Sequence, residues 1–235
     1  PLAPRGRGAG GEGADADHLS LAFDTATGPQ TFSFDAVILA LGGASWPRLG
    51  SDAAWVPSLE DRGVTVKTFR SANCGFDVAW SETFAERFAG QPIKSVVATS
   101  ASGSSQGEFV VTRSGIEGSL VYTHSAALRD ALEQEDKAAL MLDLLPGRDQ
   151  ARIAKDIAKQ GTKASFSNRM RKVGLDGVKT GLLREFSSEA DRADPAVLAR
   201  RIKSLPLAVT RTRPIAEAIS VAGGVAWDDV APTFM

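Results

Sequence analysis

Hydrophobic and polar positions alternate in two short segments, which is typical of β-strands. The segments are residues 19–23 and 31–34, and the turn-forming residues 25–29 separate them, so they predict a β-hairpin. A continuous apolar run then covers residues 35–41 and ends at the pair Gly42–Gly43. Strands that are buried on both faces have this pattern, and the run therefore predicts a strand of a parallel α/β sheet.

The pattern changes to short strands with turn residues between them over the next 80 or so residues. A helix over residues 53–62 precedes this region, and a helix over residues 124–132 lies within it. The predicted strands cover residues 64–66, 74–80, 93–100, 108–112 and 139–145. Short strands with this spacing indicate a small antiparallel sheet or barrel.

Helical periodicity begins after Pro146 and continues to about Lys203. Asp149 is a predicted N-cap, and Asp194 followed by Pro195 is a stronger helix start because proline needs no hydrogen-bond acceptor at the first helical position. Residues 165–186 are expected to form two short helices that Gly174 and Gly177 interrupt. Strand character returns at residues 205–210.

Composition limits the classes that are possible. The chain has 235 residues, 43% apolar residues and a net charge of -1, which favours a folded protein over a disordered one. No apolar run approaches the roughly 18 residues of a membrane-spanning helix. One cysteine cannot form an intramolecular disulfide or a zinc cluster, and two histidines argue against a histidine metal site. We therefore expect no metal and a cytoplasmic location.

Positive charge is concentrated in residues 146–204, which carry 14 Lys and Arg residues against 7 Asp and Glu residues. A nucleic-acid surface would place such charges on phosphates. A solvated helix face explains them equally well, so nucleic acid is an unfavoured partner at this point.

Two glycine pairs are the main candidates for ligand contact. Gly42–Gly43 and Gly223–Gly224 each follow an apolar segment, and ligands of open α/β sheets bind beyond the carboxyl ends of the strands. We expect the two pairs to meet at neighbouring strand ends, although an ordinary tight turn remains an alternative. The residues Gly6–Gly11 match the G-x-G-x-x-G pattern formally, but no strand precedes them and no amphipathic helix follows.

Three further candidates carry less weight. A hydrolase triad built on His124 has no nucleophile-elbow sequence to support it. Cys74 is expected to be a small core residue because nothing nearby predicts a depressed pKa. Trp46 precedes Pro47 and is expected either to stack on a bound ring or to fill a turn.

Residues 39–52 (LALGGASWPRLGSD) resemble a flavin-side motif of the BaiN/YhiN-like family of bacterial flavoproteins, which are described as NAD(P)/FAD-dependent oxidoreductases. The resemblance continues, in order, through residues 72–76, 107–109, 115–118, 142–146, 213–219 and 222–225. It spans roughly residues 34–230, and its motifs are individually short.

The resemblance implies a fold of three parts. Residues 1–66 and 223–235 would form an incomplete Rossmann-type FAD-binding domain. A small antiparallel β-barrel of residues 67–145 and 205–222 would interrupt it, and a basic helical insert of residues 146–204 would interrupt the barrel.

The resemblance also implies a function in which hydride or electrons pass between an unknown small-molecule substrate and flavin. The family's phosphate-binding glycine motif would precede this chain and its last flavin-contacting segment would follow it. We therefore expect a fragment that binds FAD weakly or not at all and is inactive alone. The implied flavin contacts are Ala40, Leu41, Gly42, Gly43, Trp46, Gly223, Gly224 and Val225. The catalytic residues stay unassigned, and no membrane partner is expected.

Two other classes of function remain open. The first is a non-catalytic module that acts as a lid or binds a partner. The second is a nucleic-acid-binding module that uses the basic helices.

Overall fold

The computed structural model describes residues 19–160 and 164–231. The glycine-rich segment Gly6–Gly11 lies outside the described residues. Within them, no helix combines the length and the apolar character that crossing a membrane requires.

Strands and helices follow one another in mixed order. The strands are β1 (Leu19–Thr25), β2 (Gly28–Phe34), β3 (Val66–Ser71), β4 (Phe76–Asp77), β5 (Pro92–Ser100), β6 (Gly103–Val111), β7 (Gly115–Glu117), β8 (Ala138–Asp143), β9 (Leu205–Val209), β10 (Arg211–Thr212) and β11 (Val221–Val225). The α-helices are α1 (Val56–Glu60), α2 (Glu82–Phe88), α3 (Ser119–Glu135), α4 (Gln150–Ala158), α5 (Phe166–Val173), α6 (Gly177–Glu185), α7 (Glu189–Ala193) and α8 (Pro195–Lys203).

Several local predictions are confirmed. β1 and β2 form the predicted hairpin. Asp149 caps α4 by accepting a hydrogen bond from the Arg152 N–H at 3.0 Å. Asp194 caps α8 in the same way, and α5 ends at Gly174, which has a φ of +95° that favours glycine.

The central layer is a seven-stranded sheet in the order β10-β4-β7-β6-β5-β8-β9. Every strand pair in the described residues is antiparallel. The predicted antiparallel sheet is therefore present, but it is open and does not close into a barrel. Closure would need the edge strands β10 and β9 to pair with each other, and β10 is only two residues long and pairs with β4 alone.

One continuous core holds the sheet and the helices together. α3 packs on the sheet through buried side chains such as Leu120, Val121 and Leu128. β8 and β9 are neighbours in the sheet, with Leu142 opposite Leu205. The helices α4–α8 are therefore inserted between two adjacent strands, and their buried residues join the same core.

A two-stranded element extends from the β10–β4 edge of this sheet. Residues 66–77 run antiparallel to residues 211–225, first as β3 with β11 and then as β4 with β10. Between these pairs the Ala72 N–H donates to Ser220 O and the Ile219 N–H donates to Asn73 O. We call this two-stranded element, residues 66–77 and 211–225, the ribbon.

Asp77 binds two arginines at the end of the ribbon that belongs to the sheet. Its carboxylate accepts hydrogen bonds from Arg211 and, at 3.0 Å, from Arg213. Arg213 also binds Glu217 through two hydrogen bonds of 2.9 Å. Burial raises the pKa of the Asp77 carboxyl, but the hydrogen bonds and charges of the two guanidinium groups outweigh burial and hold the pKa below its usual value.

The prediction of a buried parallel strand at residues 35–41 is wrong. This segment forms no strand in the structure, and Ile38 and Leu39 are 91% and 64% exposed. A strand requires a neighbour that accepts and donates its backbone hydrogen bonds, and no strand of the described residues pairs with this segment.

Gly115 provides a test of the close approach between β7 and β4. A Cβ atom at this position would lie 1.9 Å from Phe76 O, so Gly115→Ala must separate two strands of the sheet. We expect it to lower the free energy of unfolding by about 3 kcal/mol in a urea titration.

Gly147→Ala is the matched control because nothing lies within 4 Å of a Cβ atom there, and we expect a change within about 0.5 kcal/mol. Equal stability of the two variants would contradict the observed strand contact.

Asp77→Asn tests whether the ion pairs of Asp77 with Arg211 and Arg213 stabilise the protein, through the pH dependence of unfolding. We expect the substitution to lower the free energy of unfolding by about 1–2 kcal/mol at neutral pH, since two charged hydrogen bonds are weakened. The folded-state pKa of Asp77 is depressed, so this contribution is complete above the unfolded carboxyl pKa of about 3.9 and is lost as the pH falls through the lower folded value.

Urea titrations of both proteins at several pH values measure this difference. It should stay constant from neutral pH down to about 5 and shrink below about 4. A difference that grew on acidification would contradict the ion pair.

Candidate functional site

The two glycine pairs lie at one cleft of about 370 Å³. This volume is near the lower end of the range for small-molecule sites. Six of the eight residues predicted to contact flavin line it, namely Leu41, Gly42, Gly43, Gly223, Gly224 and Val225. The structure therefore brings together two segments that are about 180 residues apart, as the sequence analysis expects. It does so at a loop and an antiparallel strand rather than at two parallel strand ends.

Ala40 and Trp46 are not among the lining residues. Trp46 has a left-handed backbone conformation, begins a 3-10 turn with Pro47 at its first position, and donates its backbone N–H to Ala216 O at 3.3 Å. Its local role is in the turn, and the residue stays 46% exposed.

Gly43 is required by the approach of its loop to β11. A Cβ atom on Gly43 would lie 2.6 Å from the Val221 Cγ2 methyl group. The Gly43 N–H donates to Ser51 Oγ at 3.1 Å, and the Ala53 N–H donates to Gly43 O at 2.9 Å. Both backbone groups of Gly43 are therefore already engaged by the loop that follows.

Gly223 and Gly224 are required by an irregularity in the pairing of β11 with β3. The register shifts between Ala222 and Gly224, and both glycines have φ values above +100°. A Cβ atom on Gly223 would lie 2.5 Å from Thr68 O. These glycines thus permit a β-bulge with close backbone contact, which is a structural reason for the motif.

Aromatic side chains form a second part of the cleft that the sequence analysis missed. Trp55 and Phe69 line it, with ring centroids 6.0 Å apart in an edge-to-face arrangement. The Trp55 Nε1–H donates to Gly42 O at 3.2 Å. A tryptophan within the predicted helix 53–62 is the sequence signal that could have identified this part of the cleft.

The cleft provides contacts for an uncharged ring rather than for a phosphate. None of its lining residues carries a charge, and the amide of Gly43 donates within the protein. Pyrophosphate binding needs an array of available N–H donors or cations. The residues present therefore fit the ring portion of a flavin nucleotide and do not fit its pyrophosphate.

Cys74 is a core residue, as expected. It is buried, and the Ser125 hydroxyl donates to its carbonyl oxygen at 3.2 Å. Burial raises the pKa of the Cys74 thiol to about 11, and the Ser125 hydrogen bond and the Arg129 charge offset this only in part. A thiol with this pKa is a poor nucleophile.

His124 does not form a triad with the residues near it in sequence. Its Nδ1 lies 2.8 Å from Ser100 Oγ, whereas Ser125 binds backbone carbonyls and Asp130 binds Arg129. Burial lowers the pKa of the imidazole. In the part of the chain that the structure describes, no three His, Cys, Asp or Glu residues are placed to hold a metal ion.

Part of the basic helical region serves internal contacts. Lys179 donates to Ser95 O and Leu144 O, and Lys203 forms an ion pair with Asp143 at 2.6 Å. These lysines connect the inserted helices to the sheet, which reduces the positive charge that is available to a polyanion.

The comparisons with known proteins concern the sheet and the inserted helices. A family model described as the HI0933-like protein barrel and H2TH domain matches residues 70–220. A comparison with curated proteins gives no match. The matched range begins after Gly43 and ends before Gly223. It therefore covers the seven-stranded sheet and the inserted helices, and it includes none of the residues that line the cleft.

The contact between the two halves of the cleft is tested by a double-mutant cycle. Gly43→Ala should lower the free energy of unfolding by about 1–2 kcal/mol because the new methyl group meets Val221. Val221→Ala removes that methyl group, so we expect the double variant to be more stable than additivity predicts by about 1 kcal/mol.

Gly147→Ala combined with Val221→Ala is the control cycle and should be additive, since Gly147 has no neighbour at its Cβ position. Additivity in the Gly43 cycle would show that the two segments do not meet in solution.

Proposed function

Because the chain belongs to the HI0933-like family, which is associated with flavoproteins, we propose that it is part of an FAD-dependent oxidoreductase of the BaiN/YhiN-like type. Such an enzyme passes hydride or electrons between flavin and a small-molecule substrate, with NAD(P) as the expected second nucleotide. The observation that carries the proposal is the apolar cleft at which Gly42–Gly43 and Gly223–Gly224 meet.

The connectivity supports an interrupted FAD-binding domain. The ribbon brings residues 66 and 225 together as direct partners, so the segment between them starts and finishes at neighbouring points, as an inserted domain would. We propose that residues 1–66 and 223–235 belong to a Rossmann-type domain, that the open sheet corresponds to the barrel part, and that residues 146–204 are the helical insert.

Exposed apolar side chains beside the cleft support the same arrangement. Ile38 and Leu39 are 91% and 64% exposed, and Leu39 and Leu41 line the cleft. An FAD-binding domain would cover these side chains and would place Ala40 and Leu41 beside the cofactor.

The cleft residues would hold the ring portion of FAD and exclude water from it. Bound FAD would supply the redox chemistry, while the protein positions it and shapes its surroundings. Trp55 and Phe69 offer aromatic surface, and the glycines allow the ring to approach the backbone. No side chain that lines the cleft can act as a general acid or base, so we assign no proton transfer to this chain.

The single cysteine is consistent with a reducing compartment, and we propose a cytoplasmic protein whose ligands are flavin and a small molecule. A non-catalytic lid is the competing function, and the following experiment distinguishes the two.

Flavin titration tests the proposed site. We expect the chain to bind FAD and riboflavin with similar, weak affinities of about 10 μM or poorer, because the cleft contacts the ring and not the pyrophosphate. Trp55→Ala should weaken both about tenfold, and the exposed Trp227 provides a matched control, Trp227→Ala, which should not. Quenching of flavin fluorescence measures the binding.

Tight binding of FAD without binding of riboflavin would show that phosphate contacts dominate and would contradict the assigned cleft. The absence of flavin from the purified product of the complete gene would favour the lid function instead.

A further inference from the structure

A second cleft lies between α2 and the inserted helices α5 and α6. It has a volume of about 250 Å³, and Arg87, Arg171 and Arg184 are among the residues that line it. The three arginines come from three different helices. We propose that this cleft binds a small organic phosphate.

The arginines are held without carboxylate partners. None of the three forms an ion pair within residues 19–160 and 164–231. Arg87 and Arg184 instead lie over the rings of Phe88 and Phe166, each with its guanidinium carbon 5.3 Å from the ring centroid.

Stacking of this kind orients a guanidinium group and leaves donors on its edge available. Arg171 donates one hydrogen bond to Asn168 Oδ1 at 2.5 Å, and a guanidinium group has five N–H donors in all. Planar forks of this type bind phosphate oxygens in pairs. Three of them around one cavity match the several oxygens of a phosphomonoester.

The size and walls of the cavity favour a small ligand. Phe84 and Phe88 give the cleft an apolar wall, and Gly181 lets the Phe88 ring pack closely against α6, since a Cβ atom there would lie 2.3 Å from that ring. Ser167 and Asn168 add polar groups at the rim. A duplex would not enter a cavity of this volume, whereas a phosphate with a short organic part would.

Two carboxylates that line the cleft limit the affinity for phosphate that we expect. Glu185 lines the cleft, and its oxygens accept hydrogen bonds from the Ser81 N–H and hydroxyl groups at 2.5 and 2.9 Å. Asp176 precedes α6 and accepts no capping hydrogen bond from it. Their charges oppose the arginines, so we expect a dissociation constant of about 1 mM that rises with salt concentration.

NMR titration of the whole chain with glycerol 3-phosphate at low ionic strength tests the proposal, with inorganic phosphate as a second probe and glycerol as the uncharged control. We expect both phosphates to shift the signals of the three arginines, the organic phosphate to bind more tightly, and glycerol to have no effect. Arg171→Gln and Arg184→Gln should each weaken binding at least about fivefold.

Asp176→Asn should strengthen binding about threefold to tenfold, because it removes a negative charge and asparagine caps a helix as well as aspartate does. Arg200→Gln, on the exposed face of α8, is the charge-matched control and should change nothing. Thermal unfolding of each variant checks the fold, and Arg87→Gln on α2 gives an independent test if an α5 or α6 variant is unstable.

Three results would overturn the proposal. The first is the absence of any shift with either phosphate. The second is binding that the arginine substitutions leave unchanged, which would place the anion elsewhere. The third is tighter binding of a random DNA duplex with the same arginine dependence, which would identify a polyanion surface.

Discussion

The pairing of residues 66–77 with residues 211–225 is the constraint on which the rest of the structure depends. It joins the seven-stranded sheet to the glycine cleft through one element, and side chains from outside the ribbon hold it in place. The buried Arg129 of α3 donates to Ser71 O at 2.9 Å, and Arg70 binds Glu133 of the same helix at 2.5 Å. The helix that packs on the sheet therefore also holds the ribbon, so the positions of the sheet and the cleft are not independent.

The glycines of this protein show why short motifs are difficult to interpret from sequence. Each pair suggests a ligand, and the structure gives each a packing reason first: Gly43 accommodates Val221, and Gly223 accommodates Thr68 O. Such contacts do not exclude a cofactor, because a backbone that lacks side chains is also one that a ring can approach. They do mean that the glycine pattern alone is evidence for a close approach rather than for a nucleotide.

Local features were predictable where one residue type has one dominant physical role. Asp149 and Asp194 cap helices because their side chains accept backbone hydrogen bonds, and this needs no tertiary information. The run at residues 35–41 was misassigned because a strand depends on neighbours that the pattern cannot supply. Closure of the barrel failed for the same reason, since strand length and edge pairing are properties of the assembled sheet.

The cleft was predictable in part. The meeting of Gly43 and Gly224 was expected from the two glycine pairs and the family resemblance together, whereas the contribution of Trp55 depends on a hydrogen bond to Gly42 O that only the folded loop reveals. The arginine cleft could not be predicted from the sequence, because four strands and two helices lie along the chain between Arg87 in α2 and Arg171 in α5. Charge counting marked the helical region as basic without showing which cations converge.

The position of the inserted helices between β8 and β9 has a consequence for the length of this connection. These strands are direct partners from Ala138 with Val209 to Leu142 with Leu205, so a tight turn could in principle join them without changing their register. The helical excursion leaves and re-enters the sheet at nearly the same point. The register of β8 and β9 is therefore set by their own pairing, and it does not depend on the length of the chain that joins them.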